Sequence, residues 1–254
     1  MKRILVIGIG AGNPDHLTLQ AVKAMNRADA FFLLDKGPQK SLLTDLRRQL
    51  CREHVQDRAY RLIEAQSPEW ARGSDDYCAA VEALNEDKQA LFGQLIDQLG
   101  VNECGAFLVW GDPTLYDSTL RILDGLLADA PGAFEVEVIP GISSLQALTA
   151  CHQVPLNELA GAVTITTGRR LAASAQALGD STLVMLDARD AYLHLLGQGL
   201  HIYWGAYLGT ADELLIAGPL DEVAERIART REQARQQHGW IMDTYLLKRE
   251  PQPF

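Results

Sequence analysis

Residues 2–9 form a short run rich in Ile, Leu and Val after a charged start, which predicts a buried strand. It leads into the glycine-bearing loop GIGAGNPDH and then into helical spacing over residues 17–27. A second apolar strand is expected over 30–34, ending at Asp35-Lys36-Gly37-Pro38. From 39 to about 100 the chain turns charged, rich in Arg and Gln, and mostly helical in pattern. DYCAAVEALNEDKQALFGQLIDQL is its clearest amphipathic stretch. Phe107, Leu108, Val109 and Trp110 predict another buried strand. Leu115, Thr119, Ile122, Leu123 and Leu126 then recur at the spacing of one helix face. FEVEVIP and GISSLQALTAC repeat the strand-then-helix order. This alternation predicts a mainly parallel sheet with helices on its faces.

The pattern breaks at HQVPLNELAGA, residues 152–162, where Pro, Asn and Gly separate periodic segments. The expected organisation is therefore an α/β domain over 1–155, with a helical insertion at about 39–100, followed by an α/β domain over 156–254. In the second domain, strands are expected at 162–167, 182–186 and 200–207, a long charged helix at about 221–237, and a last strand in WIMDTYLL. Its strand order reads as more mixed.

Composition narrows the function. With 47% hydrophobic and 22% charged residues the chain can build a real core. A net charge of −10 argues against a general nucleic-acid binder, whose footprint is basic. It leaves room for an anionic small substrate held by local arginines. Cys51, Cys78, Cys104 and Cys151 lie far apart without a Cys-x-x-Cys pair, so free thiols in a reducing cytoplasm are expected and a zinc site is not. The six histidines share no ligand spacing, so no metal is expected. MKRILVIGIG has the charged start of a secretion signal, but its apolar run is short and Gly-interrupted and no cleavage site follows, so it reads as a first strand. No segment has the ~18 apolar residues of a membrane span.

Two loops carry candidate chemistry. Gly8, Gly10 and Gly12 follow a strand and precede a helix, as in the dinucleotide fingerprint. The third glycine of that fingerprint would fall on Asn13, and Asp35 comes too late for its ribose carboxylate, so an NAD-linked oxidoreductase is disfavoured. At Gly111-Asp112-Pro113 the bland reading is a turn or helix cap. The joint nevertheless sits at the carboxyl end of a strand, where open α/β sheets bind ligands. Its aspartate repels phosphate and suits an amine or a sugar hydroxyl. Pro140-Gly141-Ile142-Ser143-Ser144 repeats the arrangement with small hydroxyls and exposed main chain. Such loops suit an uncharged or cationic ligand.

In this order, GIGAGNPDHLTLQAV, WGDPTLYDS and IPGISSLQAL resemble the tetrapyrrole methyltransferase family over nearly the whole chain. FFLLDKG, the helical insertion and WGDPTLYDSTLRIL are most similar to the branch that couples methylation of a corrin precursor at ring carbon one to loss of an acetyl group. The resemblance implies two α/β domains with S-adenosylmethionine folded into the cleft between them, S-adenosylhomocysteine as product, and a homodimer. It places Ala11, Trp110, Gly111, Asp112, Leu115, Ser143 and Ser144 against the cofactor. In the second domain it adds Gly209 and Thr210 of YLGTADE, with Leu215–Ala217 nearby. It also adds Asp187, where relatives often have methionine and this chain has Met185 two places earlier. The family's first loop commonly reads Gly-Pro-Gly-Asp; here Ala11-Gly12-Asn13 loses that charge.

Methyl transfer from a sulfonium is an in-line displacement and asks for alignment rather than a protein nucleophile. Loss of an acetyl group asks for a base that activates water. Asp35 and Asp112 are the candidates, with Tyr116 or His152 behind them. A helix-cap role for Asp35 is an equal alternative. A substrate with many carboxylates asks for cations, and Lys36, Arg169 and Arg170 each follow a strand end, with Tyr116 nearby in the Asp112 loop. Arg47-Arg48 reads as a solvated face, and Arg121 as helix surface. Another methyltransferase of the family, or a non-catalytic tetrapyrrole- or nucleotide-binding module, remains open.

Overall fold

The computed structural model describes residues 1–35, 37, 41–56, 58–68, 77–173 and 179–249, which divide into two compact units. Unit 1 comprises 1–10 and 14–142; unit 2 comprises 11–13 and 143–254.

In unit 1, five parallel strands, β1 (Lys2–Gly8), β2 (Ala30–Asp35), β3 (Arg61–Gln66), β4 (Cys104–Val109) and β5 (Phe134–Ile139), lie in the order β3-β2-β4-β1-β5. Strand periodicity sorts β1 between two cores. Leu5, Ile7 and Ile9 pack beneath α1 (Leu19–Met25) and α2 (Ser41–His54). Ile4 and Val6 pack beneath α3 (Tyr77–Asp97) and α4 (Thr119–Asp129). Helix α1 starts later than its apolar spacing suggests. Pro14–His16 form a short 3-10 turn first, and the Thr18 hydroxyl caps α1 by accepting from the Ala21 amide at 3.0 Å.

Neighbouring strands β1 and β4 send their chains in opposite directions, β1 towards β2 and β4 towards β5. That is the switch point at which the carboxyl ends of a parallel sheet leave space for ligands.

Two expectations change here. The stretch 39–100 is not wholly helical, because Arg61–Gln66 is an edge strand paired with β2 from Ala30↔Arg61 to Asp35↔Gln66. Only Ile63 of that strand is buried, so its alternation is faint in the sequence. The division between units also falls at 142/143 rather than 155/156. Helix α5 (Ser144–His152) packs on strands of unit 2, and HQVPLNELAGA is a loop inside that unit.

Unit 2 holds β6 (Val163–Thr167), the short α6 (Gly168–Ala173), β7 (Ser181–Met185), β8 (Leu200–Ala206), β9 (Leu214–Pro219), α7 (Leu220–His238) and β10 (Asp243–Arg249). The sheet order is β6-β7-β10-β8-β9, parallel only between β6 and β7. The expected mixed order holds, with β9 an additional edge strand ended by Pro219. Trp204, Tyr192 and Tyr245 are fully buried in its core. Among the described residues no helix is long and apolar enough to cross a membrane, and no cluster of side chains could hold a metal.

Candidate functional site

In unit 1, three glycines bring the carboxyl ends of β1, β4 and β5 into backbone contact. A Cβ on Gly141 would lie 2.1 Å from the Gly111 carbonyl oxygen and 2.8 Å from Gly8 Cα; one on Gly8 would lie 2.6 Å from the Gly141 amide nitrogen. No other residue fits either place. Gly111 has φ +70° and bridges to Gly10, its amide donating to the Gly10 carbonyl at 2.8 Å. Trp110 lies just beyond β4 and packs against the α1/α2 core. Leu115 is half-buried, and Tyr116 is exposed with φ +52°. A non-glycine residue held in that region marks a turn fixed by its surroundings.

Asp112 ties these turns together. Its Oδ2 accepts from the Gly141 amide at 2.9 Å; its Oδ1 accepts from the Thr114 amide at 2.8 Å and from the Thr114 hydroxyl. Desolvation pushes its pKa up, but the Thr114 hydroxyl and the two amides outweigh that and hold it below the usual carboxylate value. A depressed folded pKa means the stabilisation is complete above the ordinary carboxylate range and is lost as pH falls through the folded value. Asp112→Asn is therefore expected to flatten the acid limb of the stability curve, below about pH 4, in urea midpoints measured between neutrality and that limb. A limb as steep as the parent's would exclude this role.

Asp35 ends β2, with Oδ1 accepting from the Gly37 amide at 2.9 Å and its carbonyl accepting from the Ser67 amide at 2.7 Å. Lys36 lies outside the described residues.

Beside these turns β2 and β4 splay apart. Their pairing ends at Phe32↔Phe107, while β2 stays paired with β3 to Asp35↔Gln66. The Leu108 carbonyl is met instead by Arg47 of α2, whose Nε donates to it at 2.8 Å; its Nη1 donates to the Leu43 carbonyl at 2.7 Å. This corrects the reading of Arg47-Arg48 as a solvated face. Only Arg48 fits that description, through ion pairs to Asp45 and Glu64. The signal was present: Arg47 stands four residues after Leu43 and four before Cys51, on the apolar stripe of the helix.

Unit 2 offers further turns at strand and helix ends. Ser143 caps α5, its hydroxyl accepting from the Leu145 amide at 3.2 Å while Gln146 Oε1 accepts from the Ser143 amide at 3.0 Å. Ser144 is the half-buried first residue of that helix, and Ala11 is fully buried. After β8, the Gly209 amide donates to Glu213 at 2.7 Å and the Thr210 hydroxyl donates to the Tyr207 carbonyl at 2.7 Å.

Asp187 is 6% exposed. Its Oδ1 accepts from the Arg189 amide, and its Oδ2 accepts from the Ala191 amide and the Tyr245 hydroxyl. Those bonds leave its side chain committed to unit 2's own framework. The preceding Leu186 is instead displayed, 66% exposed with φ +54°. Arg169 and Arg170 lie exposed on α6.

The turns at 110–112, 143–144, 186–187 and 209–210 contain no Lys or Arg. Taken separately, the unit 1 turn offers main-chain groups and the Asp112 carboxylate, and the unit 2 turns offer main-chain groups, hydroxyls and the Asp187 carboxylate.

The family model for tetrapyrrole (corrin/porphyrin) methylases matches residues 3–224. The chain is 45% identical to a precorrin-6A synthase [deacetylating] of a Sinorhizobium species, over 98% of this chain and 96% of the relative. A crystal structure of a putative cobalamin synthesis related protein (CobF) from Corynebacterium diphtheriae superposes with TM-score 0.82 at 36% identity, covering 99% of this chain and all of that one. The uroporphyrin-III C-methyl transferase of Thermus thermophilus, solved with S-adenosyl homocysteine, shares the fold at TM-score 0.63 and 19% identity, covering 97% of this chain and 92% of that one. These likenesses show that the chain belongs to the tetrapyrrole methylase family.

Proposed function

We propose that this protein is a precorrin-6A synthase of the deacetylating type, an S-adenosylmethionine-dependent methyltransferase of cobalamin biosynthesis. It methylates precorrin-5 at ring carbon one and releases acetate. The observation that carries this reading is the 45% identity over 98% of the chain to a relative bearing that activity in its name. The reading places the enzyme in the cytoplasm as a homodimer, with a tetrapyrrole as its partner and neither nucleic acid nor membrane. The net charge of −10 supports the exclusion of nucleic acid.

S-adenosylmethionine, when bound, supplies a methyl group on a sulfonium sulfur for displacement by a nucleophilic ring carbon. In unit 1, the groups that would hold it are the main chain of Trp110 and Gly111, the Asp112 turn and the Leu115 side chain. In unit 2 they are Ala11, Ser143, Ser144, Gly209, Thr210 and the main chain at Asp187. Their shared task is alignment, an effect worth several kcal/mol when the reacting atoms are held in line. Gly8, Gly111 and Gly141 serve it by leaving no slack between the strand ends. Tyr116, Arg169, Arg170 and Lys36 are the candidates for the substrate's polar groups.

The deacetylating half needs water to attack the acetyl carbonyl. The bond from that carbon to the ring then breaks, its electron pair enters the conjugated macrocycle, and the water proton passes to a base. Asp112 is poorly suited to be that base, because both of its oxygens are hydrogen-bonded and its pKa is lowered. Asp35 keeps one oxygen without a hydrogen bond among the described residues and takes the role. Incubation with precorrin-5 and methyl-labelled S-adenosylmethionine is expected to give a labelled ring product and free acetate in equal amounts. Labelled product with the acetyl group retained would point to another methyltransferase of the family. S-adenosylmethionine binding without turnover would point to a binding module.

A further inference from the structure

The splayed ends of β2 and β4 enclose a cavity of about 80 Å³ that the methyl-transfer machinery does not use. One water occupies roughly 10–15 Å³ of such space, so the cavity has room for a small organic group and far too little for a macrocycle. Its walls differ in character. Phe92 and Phe107, stacked with ring centroids 4.4 Å apart, form an apolar side with Phe32 and Leu34. Arg47 and Lys88 bring two cations.

Arg47 is fixed rather than trailing in solvent, because both of its hydrogen bonds go to main-chain carbonyls. Among the described residues no carboxylate forms an ion pair with either cation. Asp117 also lines the cavity, with its Oδ1 accepting from the Thr119 amide at 2.7 Å. Burial pushes the Arg47 pKa down to about 10, with Asp117 acting in the opposite sense, so the guanidinium is charged yet poorly solvated at neutral pH. A fixed, desolvated guanidinium with N–H groups to spare is a receptor for a planar anion.

We propose that this cavity is an acetate-sized carboxylate subsite, with Arg47 gripping the carboxylate, Lys88 adding charge, and the phenylalanine wall taking the aliphatic end. The proposal rests on the functional reading above, in which the substrate bears carboxylate arms and one product is acetate. Either source presents the same chemistry. Ser118 and Thr119 of the cavity lie six and seven residues after Asp112, in the same connection from β4 to α4.

Line broadening of ¹³C-labelled acetate is the first test, since it needs neither macrocycle nor turnover. Saturable broadening by the parent protein is expected, weakened roughly 10- to 100-fold in Arg47→Met, as for loss of a charged hydrogen bond. Calorimetry with S-adenosylhomocysteine controls for folding and for the functional reading together. Affinity retained in the variant shows an intact protein, and no affinity in the parent refutes the functional reading while the acetate result still stands.

Lys88→Met, which removes no hydrogen bond among the described residues, should weaken acetate several-fold and serves if Arg47→Met does not fold. Turnover then separates the sources. A substrate arm in the subsite raises KM in Arg47→Met with kcat little changed, whereas released acetate in the subsite leaves KM alone and abolishes product inhibition by acetate. Unchanged acetate broadening, KM and product inhibition in both variants, with S-adenosylhomocysteine still bound, would overturn the proposal.

Discussion

Arg231→Met is expected to destabilise unit 2 by about 3–5 kcal/mol, the loss typical of removing one partner from a buried ion network. Arg231 is 2% exposed on α7. Its Nε lies 2.8 Å from the Asp243 carboxylate, it pairs with Asp190, and Nη2 donates to the Asp187 carbonyl. Asp243 also accepts from Trp204 Nε1 at 2.8 Å, so the cation holds a carboxylate against the largest core side chain. Without the arginine, a carboxylate whose side chain is 5% exposed has no cation among the described residues.

The measurement is urea unfolding followed by tryptophan fluorescence in a Trp70→Phe/Trp110→Phe background, which leaves Trp204 and Trp240 of unit 2 as the emitters. Arg231→Met combined with Asp243→Asn should recover part of the loss, since the stranded charge is gone. Affinity for S-adenosylhomocysteine should fall as well, because Arg231 anchors Asp187 and Asp190, which follow the displayed Leu186 in the chain. A midpoint matching the parent protein's would show that the network carries no such weight.

The strand ends were legible because glycine and proline punctuate them: IGIG, WGDP and IPG each mark a place where only a small or rigid residue allows the backbones to meet. Mutual contact of Gly8, Gly111 and Gly141 was not legible, since it depends on β1, β4 and β5 being neighbours in space. Strand β3 was hidden because an edge strand with one buried residue leaves little alternation to read. Arg47 was hidden by its own charge. Its place on the apolar stripe of α2 was visible, but an arginine beside a second arginine reads as surface unless that spacing is given precedence.

Asp187 shows the opposite case. The resemblance placed it near the cofactor, and the structure surrounds its carboxylate with hydrogen bonds from its own unit, leaving the main chain and the exposed Leu186 beside it. Family position pointed to this turn, and packing commits its carboxylate to the unit's own framework.

Asp35→Asn is expected to uncouple the two halves of the reaction. The substitution preserves size and an oxygen that can accept from the Gly37 amide, so the turn after β2 should persist. What disappears is the capacity to take a proton from water. General-base assistance is worth roughly 10²- to 10⁴-fold, and that loss should fall on acetate release alone, because methyl transfer by an electron-rich ring carbon needs no base from the protein. Mass spectrometry of the variant's product should therefore show a methylated macrocycle that still carries its acetyl group, while an enzymatic acetate assay shows little acetate. Asp112→Asn provides the contrast: its carboxylate orders the turns, so it should depress both halves together. Equal loss of methylation and acetate release in Asp35→Asn would reduce Asp35 to a turn residue. The base would then have to be sought at Tyr116, since His152 already meets the Trp204 carbonyl through Nε2 at 3.0 Å.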